Sequence, residues 1–385
     1  MANEVSMRLV IKKKMSELTL HKISYKDLRD YKYKNFDDPY GIVAFMTDHL
    51  RETLLACPYN VDENKTALYV MTDGNVAVGR LLEFETRIVA NGEIVPTQTG
   101  SSLFVENSYR PKGVGVDLLM EQKFCKDYSL KIGSLFSSMV VPMIKKIRYV
   151  LFDIPQYVSI RRSQPIIATL GIKGVPLKIC SAIADIPIYI MNGINDLRRK
   201  QLYKKVVIKK ESIIPNWVGE LAMSDSHKFK ELHTTEWFQW NLDYNMNGYP
   251  GDKQSFYAIY KKNGEPLGFF MTKERFEEVA GRYHNIIRGT IVEWATADSN
   301  LLSESDLNLL ALKTFSHNTF HVLTVTTDDD TKKKLKKIGF VKHGILQMNL
   351  YDKKKQFPDI YDQSQWRLRY GCGNTIIFGK VTADY

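Results

Sequence analysis

The sequence predicts an α/β fold of the α+β kind: a central, mostly antiparallel mixed sheet flanked by helices, occurring twice along the chain. Three observations carry this. Short segments rich in β-branched and aromatic residues alternate throughout with segments of helical spacing. In each half two strand-like segments are joined across a turn dipeptide, Asp73-Gly74 and Asn263-Gly264, where glycine supplies a positive φ without steric cost. The two neighbourhoods also rhyme, with Tyr69, Asp73-Gly74 and Gly79 in one and Tyr257, Asn263-Gly264 and Gly268 in the other.

Residues 18–23 read as a strand, 25–31 and 41–56 as helical, and 67–71, 76–85 and 98–105 as strands rich in β-formers. Residues 113–126 have helical spacing, because Val114, Leu118, Leu119 and Phe124 can share a face. An apolar run follows at 134–140 and a short helix at 142–149. The stretch 152–204 holds Pro155, Pro165, Pro176 and Pro187 and reads as closing strands with a helical connection at 194–205. The order then restarts. A strand at 205–209 precedes helices at 224–232 and 235–242, a hairpin of 256–260 with 267–272, and a strand at 290–297. A helix at 303–315 opens on Ser303 as N-cap. After a strand at 322–326, a helix at 328–338 begins with acids, which suit the positive end of its dipole. Gly339 ends it, and 345–351 is a last strand. The expected units are residues 1–195 and 205–355, with 356–385 as a C-terminal extension packing on the core.

The 385 residues suffice for two or three domains, and 44% apolar content allows sizeable cores. Disordered, collagen-like and disulfide-scaffold classes are excluded. The net charge of +11 favours anionic partners: nucleotides, nucleic acid, CoA or acidic lipid surfaces. No DNA- or RNA-reading motif is present, so nucleic acid is not expected. Four cysteines without a CxxC pair point to a reducing compartment. With no long apolar run and no signal-peptide pattern, the expectation is a cytoplasmic protein without a membrane span. No metal is expected: HExxH is absent, and His317 with His321 is a lone pair. Neither GxSxG nor a Walker-type phosphate loop occurs.

Chemistry concentrates in Val105-Glu106-Asn107-Ser108-Tyr109-Arg110-Pro111-Lys112-Gly113-Val114-Gly115-Val116-Asp117-Leu118-Leu119-Met120. A strand ends, a glycine-bearing turn follows, and a helix begins. Such a turn directs backbone amides at phosphate oxygens. Gly113 and Gly115 let a ligand come close where a Cβ would block it. Arg110 and Lys112 add positive charge. The segment resembles the V-x-P-x-Y-R-G-K-G-I-G motif of the GNAT acyltransferase superfamily, with Val105, Tyr109, Arg110, Lys112, Gly113 and Gly115 in register and Val114 in place of isoleucine. Asp38-Pro39-Tyr40-Gly41 and the Asn91-Gly92-Glu93 turn extend the likeness, which points to bacterial envelope-associated members.

The resemblance implies an acyltransferase that moves an acetyl or other acyl group from acyl-CoA to an amine. The turn from Arg110 through Lys112, Gly113 and Val114 to Gly115 would hold the CoA pyrophosphate. The backbone at Phe104, Val105 and Glu106 would pair with the pantetheine arm as an added strand. Pro111 stands where the family has glycine and removes one donor. The acceptor would be a small molecule, an amino sugar or sugar nucleotide. A homodimer stays open.

Amide formation needs a base for the amine and an acid for the leaving thiolate. The family's fourth-strand base positions carry Thr99 and Ser101, neither of them basic. The candidate bases are therefore Glu83, Glu85 and Glu106, of which Glu83 and Glu85 share a strand face. Ile144 stands where the family's acid tyrosine would be, leaving Tyr128, Tyr149 or Tyr157. In the second half, 335–340 resembles the end of a family helix. Asp298 to Glu304, however, offers neither a glycine pair nor an arginine. That half is expected to be degenerate, completing an acceptor pocket with Trp237, Trp240, Trp294 and Trp366 or packing on the first. The alternative is a catalytically degenerate tandem protein that binds CoA or a partner.

Overall fold

The structure is a computed structural model and describes residues 18–134, 140–244 and 252–374; the apolar run expected at 134–140 lies mostly outside them. The first half runs β1 (Leu18–Ser24), α1 (Tyr25–Arg29), α2 (Asp48–Leu55), β2 (Thr66–Asp73), β3 (Val76–Ala90), β4 (Glu93–Val105), α3 (Val114–Phe124), β5 (Leu130–Ser134), α4 (Val140–Lys146) and β6 (Val150–Ile160). Three helices follow, α5 (Gln164–Ala168), α6 (Gly174–Ala184) and α7 (Ile186–Lys205). The second half runs β7 (Val206–Glu211), α8 (Trp217–Met223), β8 (Phe229–Glu231), α9 (Thr235–Tyr244), β9 (Lys253–Lys261), β10 (Pro266–Ala280), β11 (Tyr283–Thr296), α10 (Glu304–Thr314), β12 (Thr319–Val325), α11 (Asp329–Lys337) and β13 (Val341–Asp352), with β14 (Trp366–Arg367) near the end.

Local chemistry sets these boundaries. Ser24 and Ser303 each form a capping box with the acid three residues on, Asp27 and Asp306. Asn91 and Gly92 both have positive φ, +51° and +87°, the geometry a two-residue hairpin needs between β3 and β4. The helix expected over 41–56 starts only at Asp48. The Asp38 carboxylate accepts the Val43 and Ala44 amides at 2.9 and 2.7 Å, which commits the preceding residues to a turn. The helix expected at 224–232 is instead β8, preceded by α8. The stretch 152–204 is one long strand and three helices. Pro165 and Pro187 sit within the first two positions of α5 and α7, where the missing N–H has no intrahelical partner to lose. His321 lies in β12, so it shares no helix face with His317.

The strands join in one mixed sheet with the path β1-β2-β3-β4-β5-β13-β6-β12-β11-β10-β9-β7. Along it, β4–β5 and β11–β12 are parallel and the other neighbours are antiparallel. Both halves thus feed their strands into a continuous sheet. They interlock at the middle by exchanging their last strands: β13 lies between β5 and β6, and β6 lies between β13 and β12. On one face α3 and α4 bury Tyr69, Leu81, Leu118 and Ile144. On the other, α2, α8 and α9 enclose a core that spans both halves, with Leu54, Phe84, Phe238, Phe269 and Val292. Helices α10 and α11 cover the second half over Phe270, Trp294, Leu310 and Leu335.

Candidate functional site

Strand β4 makes a ladder with β3 along its whole length, but the register slips between Arg80–Phe104 and Leu82–Ser101. Ser102 takes a positive φ of +51° there, so the strand bulges at 102–103. On its other side β4 pairs with β5 only from Thr97–Leu130 to Thr99–Ile132. Beyond that point the ladder between the two parallel strands stops, and the edge of β4 borders a wedge. Arg80 braces the bulge: its guanidinium lies 5.0 Å from the Phe104 ring and 4.0 Å from that of Phe45, and donates to the Ile42 carbonyl at 2.8 Å. This ties the 38–46 loop to the end of β4.

After β4 the chain makes a 3₁₀ turn over Asn107–Lys112 and enters α3 through Gly113 at φ +84°. A side chain there would be strained, although a Cβ would meet nothing within 4 Å. The left-handed residue therefore faces open space. Its amide donates to the Arg110 carbonyl at 3.1 Å and its carbonyl accepts from Val116 and Asp117 at 2.9 and 3.1 Å, so the amides that helix geometry leaves without intrahelical acceptors are those of Val114 and Gly115. Gly115 has a different reason to be glycine. Its Cβ would sit 3.1 Å from Met143 Cε and 3.5 Å from Val105 Cγ2, so it permits helix-on-strand packing rather than ligand approach. Arg110 Nε donates to the Val105 carbonyl at 3.0 Å and staples the turn to the strand. Tyr109 donates to Asp73 Oδ2 at 2.7 Å, and that acceptor carboxylate pushes the phenol up to about 12. Lys112 Nζ lies 4.0 Å from the Tyr109 ring. Pro111 is accommodated inside the 3₁₀ turn.

The three candidate bases go to different places. Glu106 is half-buried at the end of β4, where its amide donates to Val78 and its carbonyl accepts from Tyr109. Glu83 is fully buried opposite Gly100, and a Cβ on Gly100 would overlap Gln122 of α3, so both face that helix. Gln122 Nε2 donates to Glu83 Oε2 at 3.3 Å. Glu85 is held by Lys65 Nζ at 2.6 Å and the Tyr128 hydroxyl at 3.0 Å. Sequence alternation put Glu83 and Glu85 on one face correctly, but α3 and Tyr128 close that face. Tyr149 is likewise buried among α3 and α4, while Tyr157 lies in β6.

Burial raises the Glu83 carboxyl well above its usual value, with Lys131 and Gln122 pulling the other way. The folded state then keeps a proton that the unfolded chain releases, so stability falls as pH rises above the ordinary glutamate range. Glu83→Gln is expected to melt higher than the parent at about pH 8, with the gap narrowing towards about pH 5. Equal melting temperatures of parent and variant at both pH values would show that Glu83 carries no raised pKa.

The second half has a matching wedge. Strands β11 and β12 pair in parallel over Ile287–Thr319 to Thr290–Leu323 and then part, and the β10–β11 register slips between Met271–Glu293 and Thr272–Ile291. Here the chain fills the wedge itself. The Gly371 amide donates to Val292 at 3.0 Å, and Arg369 Nη2 donates to both Glu304 carboxylate oxygens at 2.8 and 2.9 Å. The Asp298 carboxylate accepts the Asn300 and Leu301 amides at 3.0 and 3.2 Å. Amides that would face an anion in the first half are satisfied from within.

Where the two halves meet lies a buried polar cluster that the sequence did not reveal. His233 Nδ1 is 2.9 Å from Glu293 Oε2, and its ring stacks on Trp237 at 3.8 Å. Arg367 Nη2 donates to Glu293 Oε1 at 2.6 Å. Glu231 accepts from the Thr86 hydroxyl and, at 2.7 Å, from the Gly373 amide. Burial drives the Glu231 carboxyl up, whereas Arg367 and His233 hold Glu293 below the usual range against its own burial. Glu231, His233 and Cys372 each offer a ligand atom within 4.8 Å of the others. Three donors fall short of the four a closed structural zinc site uses, and the imidazole already hydrogen-bonds Glu293. The expected acceptor-pocket tryptophans are all buried in the core, Trp240 donating to the Thr53 carbonyl and Trp366 to Ile360. A cavity of about 320 Å³ lies in the second half, lined among others by Asp252, Tyr257, Thr272, Glu274 and Phe315, and takes nothing from the Gly113 turn.

No protein-family model and no curated protein matches the sequence. Solved structures do match its fold. N-myristoyltransferase of Saccharomyces cerevisiae with bound myristoyl-CoA aligns over 88% of this chain and 83% of its own, at 12% identity and a TM-score of 0.51. A GCN5-related N-acetyltransferase from Anabaena variabilis aligns over 88% of this chain and 73% of its own, at 9% identity and a TM-score of 0.53. With identities this low the likeness is one of fold, and on that ground the chain has the fold of the GCN5-related N-acetyltransferase superfamily.

Proposed function

We propose that this protein is an N-acyltransferase that takes its acyl group from acyl-CoA bound in the first half. One observation carries the reading: a bulged strand runs past a parallel partner that has parted from it, into a left-handed Gly113 facing open space at the start of α3. The pyrophosphate would rest on the amides of Val114 and Gly115, with Arg110 and Lys112 at its flank, and the pantetheine arm would lie along Phe104 and Val105. The solved neighbour with myristoyl-CoA supports an acyl-CoA co-substrate. The acceptor nitrogen attacks the thioester carbonyl, the C–N bond forms, the C–S bond breaks, and CoA leaves as the thiol with the proton the amine gives up. An amine on an amino sugar or sugar nucleotide is the acceptor class we assign.

Positioning of amine and thioester would supply most of the rate. Glu83 is buried against Gln122 of α3, and Glu85 is held by Lys65 and Tyr128. Glu106 at the end of β4 stays as a candidate to order a water. We further read the chain as a duplication with units at 1–195 and 205–355 and an extension at 356–385. The alternative, a protein that binds CoA without turnover, is favoured by the burial of those two carboxylates.

Incubating the protein with acetyl-CoA or a long-chain acyl-CoA and a panel of amino sugars, and following free CoA thiol, separates the two. Thiol release that depends on the amine establishes transfer. Thermal stabilisation by acyl-CoA without release establishes binding alone. Absence of both at saturating ligand removes the reading.

A further inference from the structure

The kinked helix pair of α6 and α7, inserted between β6 and β7 and bent by 42° at Asp185, carries an apolar surface that the body of the protein does not cover. On α6, Val175, Ile179 and Ile183 recur every four residues; on α7, Ile186, Ile190, Ile194 and Leu197 continue the stripe. All seven are exposed, Val175 by 67% and Ile183 by 63%, with Tyr189 beside them at 66%. Isolated apolar residues on a surface need no explanation, but a contiguous stripe over two helices does.

The pair is held firmly from behind. Asp185 Oδ1 accepts the Ser163 amide at 2.7 Å and the Ser163 hydroxyl donates to Ser181 at 3.1 Å. Asn195 and Arg198 of α7 donate to the Ile338 and Lys337 carbonyls at 2.9 and 2.8 Å. The apolar face is therefore presented outward on a fixed support. Charge says what covers it. Between Arg161 and Lys205 there are nine lysines and arginines against two aspartates, a surplus of seven out of the chain's net +11. Asp185 is spent on Ser163 and Asp196 on Arg199 at 2.8 Å. Lys173 and Lys178 at one end, and Lys200, Lys204 and Lys205 at the other, are exposed and bracket the stripe.

We propose that the kinked α6–α7 pair is a lipid-binding surface that docks the protein on an anionic membrane. The isoleucines sink below the headgroups, the lysines extend their stems along them and place ammonium groups at the lipid phosphates, and Tyr189 sits at the boundary. The pair lies on the membrane rather than crossing it. Among the described residues no single helix is long and apolar enough to span, and the pair that passes together is bent by 42° at its break.

The full chain is mixed with vesicles of phosphatidylcholine alone or with phosphatidylglycerol added, and pelleted at low and at high salt. Binding to the anionic vesicles, weakened by salt and reduced about tenfold or more in Ile179→Glu/Ile190→Glu, is the expected result. The substituted side chains are exposed, and an unchanged melting temperature confirms that the variant folds. Failure to pellet with either vesicle overturns the proposal. So does a dimer, seen by light scattering, that the double variant splits into monomers, because a second copy would then be the occupant.

Discussion

Arg367→Ala is expected to destabilise the protein by about 3–5 kcal/mol, read from urea unfolding followed by tryptophan fluorescence. Arg367 is buried in the seam between the halves, and its side chain is shared among several acceptors. It donates to Glu293 Oε1 at 2.6 Å, to the Ala222 carbonyl at 2.6 Å and to the Trp294 carbonyl at 3.3 Å, and lies 3.3 Å from Asp225 Oδ2. Burial alone would raise both carboxyls; Arg367 ahead of His233 holds Glu293 below the usual range, and His227 ahead of Arg367 and Lys230 does so for Asp225. Removing the guanidinium leaves the fully buried Glu293 carboxylate without its main cation and Asp225 with only His227 and Lys230, and the cost is chiefly that of the uncompensated charge on Glu293 rather than of lost hydrogen bonds. Both groups have lowered folded-state pKa values, so their contribution is present above the ordinary carboxylate range and is lost as pH falls through their folded values. The variant's deficit is therefore expected to shrink in acid. A loss below about 1 kcal/mol at neutral pH, or one that does not change with pH, would mean that the cluster is not ionic.

The parts of the fold that sequence exposes are those made by neighbours in the chain. The Asp73-Gly74 and Asn263-Gly264 hairpins, the Ser303 cap and the strand–turn–helix at Val105–Met120 each depend on residues a few positions apart, and each forms. The exchange of β6 and β13 left no mark, because a strand alternates identically whichever neighbour it pairs with. The central cluster was hidden for a related reason. His233 meets Glu293 across 60 residues and Glu231 meets Gly373 across 142. Neither partner lies in a motif, and the charged residues concerned read as ordinary surface until the two halves close over them. Glu83 and Glu85 show the same limit from another side. Period two gives their common face, but only the placement of α3 decides whether that face meets solvent or a helix. At Gly115 the structure adds a packing reason for glycine that local spacing did not reveal, since Met143 and Val105 approach it closely.

Gly113→Glu is expected to cut acyl-CoA affinity by about a hundredfold or more, measured as the loss of thermal stabilisation across a titration with acetyl-CoA. Two effects combine. At φ +84° any Cβ is strained, and a strained turn relaxes away from the conformation that aims its amides outward. The glutamate also brings a negative charge to the point where a pyrophosphate would gather amide dipoles, and like charges at such close range repel strongly when partly desolvated. Gly113→Ala separates the two, because it carries the strain alone. It is expected to lose about fivefold to tenfold, corresponding to the roughly 1 kcal/mol cost of a left-handed non-glycine residue. Neither substitution meets a neighbouring atom within 4 Å at the Cβ, so the rest of the fold has no reason to shift. Gly115→Ala serves as the contrast. Its Cβ presses on Met143 Cε, the end of a flexible side chain that can move, so a small change in melting temperature with acyl-CoA affinity nearly intact is expected. If Gly113→Glu binds acetyl-CoA as tightly as the parent, the turn is only a tight entry to α3. The wedge beside β4 would then need another occupant.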